Sequence, residues 1–75
     1  MSQLPTLKPV QVIRKLRKAG FVFDLHAKGS HEIWYNPNSR RRTTLPNHPG
    51  KDIPKGTLRA IIQQTGLTVD EFVAL

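Results

Sequence analysis

The chain has 75 residues and no cysteine, and it sets twelve Lys and Arg against five Asp and Glu, for a formal net charge of +7. A chain this short makes one domain with a modest core, without disulfides or cysteine zinc sites, and three histidines give little reason to expect a metal or other cofactor. So large a positive surplus on a small surface attracts polyanions, with nucleic acid the leading partner and a basic but uninvolved surface the alternative.

Residues 1–7 read as a loose lead-in. They have no basic start, and no apolar run in the chain approaches the roughly 18 residues of a membrane span. The expectation is a cytoplasmic protein without membrane contact. Pro9 suits the first turn of a helix, where its missing N–H is not needed. Val12, Ile13, Leu16 and Ala19 follow at helical spacing, Gln11, Arg14, Lys15 and Lys18 fill the other face, and Gly20 supplies the stop.

The period then changes to two. Phe21, Phe23 and Leu25 alternate with Val22, Asp24 and His26, which predicts a half-buried strand. Lys28-Gly29 marks a turn. Residues 30–36, with Ile33, Trp34 and Tyr35, predict a second strand, and Pro37-Asn38-Ser39 the next turn. Residues 40–45 read as a third, more polar strand ended by Pro46. Strands so close in sequence are simplest as an antiparallel meander.

Residues 47–52 form a loop rich in Pro, Gly and charge. A second helix begins near Pro54 or Lys55, carries Leu58, Ile61 and Ile62 on its apolar face, and ends at Gly66. Thr68-Val69-Asp70-Glu71 has capping-box spacing and predicts a short last helix with Phe72, Val73 and Leu75. The fold class is therefore α+β: a three-stranded antiparallel sheet with two helices on one face, in the order α-β-β-β-α, and a short C-terminal helical extension over residues 68–75. The other sheet face stays open to solvent or a partner.

Chemistry concentrates in Lys28-Gly29-Ser30-His31. Glycine lets backbone N–H groups approach a phosphate closely, Ser30 offers a hydroxyl, and Lys28 a positive charge. The imidazole of His31 can take or give a proton near neutral pH. On RNA that proton is the ribose 2′-hydroxyl's; its removal lets the oxygen attack the adjacent phosphorus. No metal is needed if cationic or N–H groups stabilise the charge that develops. A plain hairpin bend beside a solvated histidine is the competing account of the same residues.

A two-residue loop at Lys28-Gly29 sets His26 opposite His31, Phe23 opposite Trp34 and Leu25 opposite Glu32. Phe21, Phe23, Leu25 and Trp34 then line the covered side, and Val22, His26, His31, Ile33 and Tyr35 the open one. A three-residue loop would flip the second strand and turn His31 toward the core.

His48, in Pro46-Asn47-His48-Pro49-Gly50, is either a second acid-base group or phosphate contact, or a structural hydrogen-bonding group. Lys55-Gly56-Thr57 opens the second helix, where free N–H groups favour anions; Lys55 is a candidate phosphate contact and Thr57 a candidate cap. Arg40, Arg41 and Arg42 are either a solvated strand start or a track for phosphates. Tyr35, if it faces outward, can stack on a base.

These motifs also share an order. Leu16-Arg17-Lys18-Ala19-Gly20-Phe21, Lys28-Gly29-Ser30-His31, Pro46-Asn47-His48 and Lys55-Gly56-Thr57-Leu58-Arg59-Ala60-Ile61-Ile62 together resemble the HicA family of toxins over about residues 8–67. The resemblance implies a fold like the double-stranded-RNA-binding domain. It implies a toxin that cleaves mRNA and arrests translation and growth, and a HicB-type antitoxin that blocks the active site. The family's catalytic histidine falls on His31, and its Pro-x-His position on His48. Glu32 departs from the family pattern, as does the extension through Leu75. A non-catalytic RNA-binding module and a protein-only interaction domain are the competing functions.

Overall fold

Pro9 opens the first helix, α1 (Pro9–Lys18), in the computed structural model, which describes residues 3–75. Gln11 Oε1 accepts from the Lys8 N–H at 2.8 Å, which satisfies one of the free donors at the helix start. Val12 and Leu16 are fully buried, and Ile13 and Ala19 pack against the same core. Lys15, Arg17 and Lys18 occupy the last turn, where positive charge complements the helix dipole. Gly20 and Phe21 then carry the chain into the sheet.

Strands β1 (Val22–His26), β2 (His31–Asn36) and β3 (Arg41–Pro46) form an antiparallel meander in that order. The first hairpin differs from expectation. It closes over three residues, with the Ala27 N–H donating to the His31 carbonyl at 2.8 Å. A bulge at Asp24 takes up the extra residue, so Leu25 faces Ile33 and His26 faces Glu32, while Phe23 still faces Trp34. Two faces are thereby corrected: Leu25 moves to the open side and His26 to the covered side. His31, Ile33 and Tyr35 keep the open side, because β2 is held by β3, whose Thr43 and Leu45 are buried on the other face.

The third strand starts one residue later than expected. Arg40 lies in the turn, with φ of 62°, and its N–H donates to the Asn36 carbonyl at 2.7 Å. Asn36 is buried and organises this turn. Its Oδ1 accepts from the Asn38 N–H at 2.9 Å, and its Nδ2 donates to the Ala19 carbonyl at 3.2 Å.

Helix α2 (Lys55–Thr65) packs on β3, burying Leu58, Ile61 and Ile62, and ends at Gly66, whose φ of 82° suits a residue without a Cβ. Gln64 Oε1 accepts from the Thr43 hydroxyl at 2.6 Å and from the Thr44 N–H at 3.4 Å, covering the outer edge of β3. Helix α3 (Val69–Val73) has the expected box: Glu71 N–H donates to Thr68 Oγ1, and Thr68 N–H to Glu71 Oε1. Phe72 fills the core from this helix.

The lead-in is corrected for its described part. Leu4 and Leu7 are buried in the core, and the Ile53 N–H donates to the Leu7 carbonyl at 2.8 Å. Residues 1 and 2 lie outside the description. Among the described residues no helix is long and apolar enough to cross a membrane.

Candidate active site

The open face of β2 begins with His31, which is exposed and stands opposite Pro46 of β3. A three-residue hairpin loop precedes it: Lys28 and Gly29 are exposed at the tip, and Ser30 is half-buried. The loop after β3 folds back over this end of the sheet. Asn47 N–H donates to the Ser30 carbonyl at 3.0 Å, and Asn47 Nδ2 donates to Glu32 Oε2 at 2.8 Å on the opposite face.

His48 follows at once. It occupies the first position of a tight turn through Pro49 and Gly50, closed by the Lys51 N–H to the His48 carbonyl at 3.1 Å. Gly50 has φ of 78°, the value that the third position of a type II turn requires, and Pro49 supplies the fixed φ before it. The backbone of His48 is therefore held at both sides. Its Nε2 lies 3.1 Å from Ser30 Oγ. Residues 18 apart in sequence are thus joined by a side-chain hydrogen bond directly beside His31.

A cleft of about 340 Å³ opens between β3 and the start of α2, lined by His31, Thr44, Pro46, His48, Lys51, Asp52, Ile53, Pro54 and Thr57. Pro54 stands at the N-cap of α2, and no side chain caps it; Thr57 lines the cleft instead of capping. The first-turn N–H groups and the helix dipole give this wall a partial positive charge. Asp52 is a carboxylate unsuited to an anion site, but Lys8 Nζ pairs with its Oδ1 at 2.7 Å.

His31, His48 and Ser30 are thus brought together, and Lys55 stands at the first turn of α2 beside the cleft wall. The three arginines are not grouped with them. They lie toward the far end of the β2–β3 hairpin, with Arg42 four and Arg41 five residues along the strands from His31, or about 13 and about 17 Å. They also diverge. Arg42 stacks over the Tyr35 ring at 4.7 Å on the open face, with Asp24 3.8 Å from its Nε. Arg41 lies against Gly66 at the end of α2, so close that a Cβ there would meet its Nε at 2.6 Å. Lys51, Thr44 and the paired Asp52 were not singled out from the sequence. The charge of the 47–52 loop was the one available signal, and it does not say which residues turn inward.

These features define a class: a small basic α+β domain, α-β-β-β-α at its core, with an exposed histidine on the open sheet face beside a second histidine and a cleft. The family model of the HicA toxin of bacterial toxin–antitoxin systems matches residues 10–67, and the chain belongs to that family. No curated protein matches the chain. Helix α3 lies beyond the matched residues.

Proposed function

We propose that this toxin is a metal-independent endoribonuclease that cleaves mRNA in the cytoplasm, arrests translation and growth, and is neutralised by a HicB-type antitoxin seated over the cleft. The observation that carries the reading is the position of His31: exposed, on the open face, in a cleft with His48 and Lys51. RNA supplies its own nucleophile. His31 accepts the 2′-hydroxyl proton, the 2′-oxygen bonds to phosphorus, and the bond to the 5′-oxygen breaks. The products are a 2′,3′-cyclic phosphate and a 5′-hydroxyl.

Lys28, Gly29 and Ser30 flank the scissile phosphate, and Lys51, Lys55 and the start of α2 offset the charge on its oxygens. Arg40, Arg41, Arg42 and the basic face of α1 attract and hold the strand further away. Tyr35, half-buried under Arg42 on the same face, offers a ring edge to a neighbouring base.

The test is His31→Ala. Cleavage of RNA should be lost while salt-sensitive RNA binding persists, and induced growth arrest should disappear with it. Retained cleavage by this variant rejects the role of His31. A parent protein that binds RNA without cleaving it is instead an RNA-binding module. Relief of growth arrest by a coexpressed antitoxin tests the partner.

A further inference from the structure

Transesterification by His31 leaves one proton unaccounted for: the departing 5′-oxygen must gain one. We propose that the Ser30–His48 pair supplies it, the His48 imidazolium passing its proton through the Ser30 hydroxyl to the leaving oxygen. This inference rests on the nuclease reading and names the acid of that same site.

The geometry is specific. Ser30 immediately precedes His31 in the chain and is half-buried. His48 Nε2 is 3.1 Å from Ser30 Oγ, and both His48 and His31 line one cleft. A serine hydroxyl accepts and donates at once. With His48 charged, Nε2–H donates to Ser30 Oγ and leaves the hydroxyl hydrogen free to point at a substrate oxygen. As the bond from phosphorus to the 5′-oxygen breaks, the hydroxyl proton moves to that oxygen and the Nε2 proton replaces it on Ser30. His48 ends neutral, Ser30 unchanged, and His31 carries the 2′-hydroxyl proton. The count balances without a further reactant. Water then opens the cyclic phosphate along the reverse route, or the product leaves as formed.

The surrounding structure holds the pair. Asn47 N–H bonds the Ser30 carbonyl at 3.0 Å, and the Pro49-Gly50 turn fixes the His48 backbone.

The experiment compares two RNA oligonucleotides of one sequence. One is ordinary. In the other the 5′-oxygen at the cleaved position, mapped beforehand with the parent protein, is replaced by sulfur. A thiolate leaves without a proton, so the acid is dispensable there. His48→Gln and Ser30→Ala should each cut the ordinary RNA about 10²–10⁴-fold more slowly, the usual contribution of a positioned acid. Both should cut the sulfur RNA within about threefold of the parent rate, by the same reasoning. Ser30→Thr, which keeps a hydroxyl, should retain most activity on both. His31→Ala should stay inactive on both. Equal losses on the two substrates for His48→Gln and Ser30→Ala, with melting curves like the parent's, overturn the relay and leave the nuclease reading intact. A parent that cuts neither RNA overturns both.

Discussion

Glu32 accepts a hydrogen bond from Nε1 of Trp34 at 3.1 Å, two residues along the same face of β2. Its other carboxylate oxygen accepts from Asn47 Nδ2 at 2.8 Å. One half-buried side chain therefore satisfies the indole of an almost wholly buried tryptophan and anchors the loop that carries His48. Glu32→Ala should lower stability by about 1–3 kcal/mol, the cost of donors left without partners. Urea unfolding followed by the fluorescence of the single tryptophan measures it. Glu32→Gln, with one good acceptor, should fall between the two. An unchanged midpoint for Glu32→Ala would show that water replaces the carboxylate at no cost.

Phe72 has no exposed surface although α3 is only five residues long. Phe72→Ala should cost about 3–5 kcal/mol, the usual range for emptying a core aromatic site. That is a large share of the roughly 5–15 kcal/mol that holds a domain folded. Thr68→Ala removes only the cap and should cost about 1 kcal/mol. Thermal melting separates the two, and equal small shifts would show that α3 adds little to the core.

Arg40 holds a left-handed backbone conformation, φ 62°, in the turn between β2 and β3. An L-residue pays about 1–2 kcal/mol for that conformation, which glycine avoids. Arg40→Gly should therefore stabilise the fold by about 1 kcal/mol and raise the melting temperature by roughly 4–8 °C. A lower melting temperature would mean that the arginine side chain contributes more than its backbone costs.

Asp52 places a carboxylate in the cleft and is paired with Lys8, both about half exposed. An ion pair so solvated contributes about 0–1 kcal/mol. Asp52→Asn should thus leave stability nearly unchanged and tighten RNA binding, since a negative charge leaves the anion's path. Titration of a labelled, cleavage-resistant RNA at two salt concentrations checks both the sign and its electrostatic origin. Weaker binding would show that the pair orders the cleft.

Much of the fold was legible because its punctuation is local. Pro9, Gly20 and Gly66 bound helices for reasons that act within one turn, and the Thr68–Glu71 box forms from residues three apart. The open-side placement of His31 was tied to a two-residue loop at Lys28-Gly29; the loop has three residues, and His31 keeps that face because the bulge at Asp24 takes up the extra one. What failed were properties decided at a distance. The bulge at Asp24 bears no chemical mark, so Leu25 and His26 were assigned to each other's faces. Leu4 and Leu7 are buried by a chain segment with no periodicity, which a pattern of twos or threes cannot detect.

The candidate site divides in the same way. Gly-Ser-His is contiguous and visible. The Ser30–His48 bond spans the β2–β3 hairpin and exists only once that hairpin is closed, so no spacing announces it. The arginine run shows the opposite relation between sequence and space. Contiguous in sequence, it is split by a turn and by strand alternation, with Arg40 in the turn, Arg41 toward α2 and Arg42 on the open face.

The bulge in β1 has a consequence for behaviour at high concentration. β1 is an outer strand of the sheet, and Phe23 and Leu25 on it are 44% and 49% exposed. The unpaired N–H and C=O groups of an outer strand, flanked by exposed apolar side chains, invite edge-to-edge pairing with another copy. The bulge at Asp24 interrupts the regular run of the strand between those two side chains. A break of this kind in an outer strand works against a second copy pairing along it.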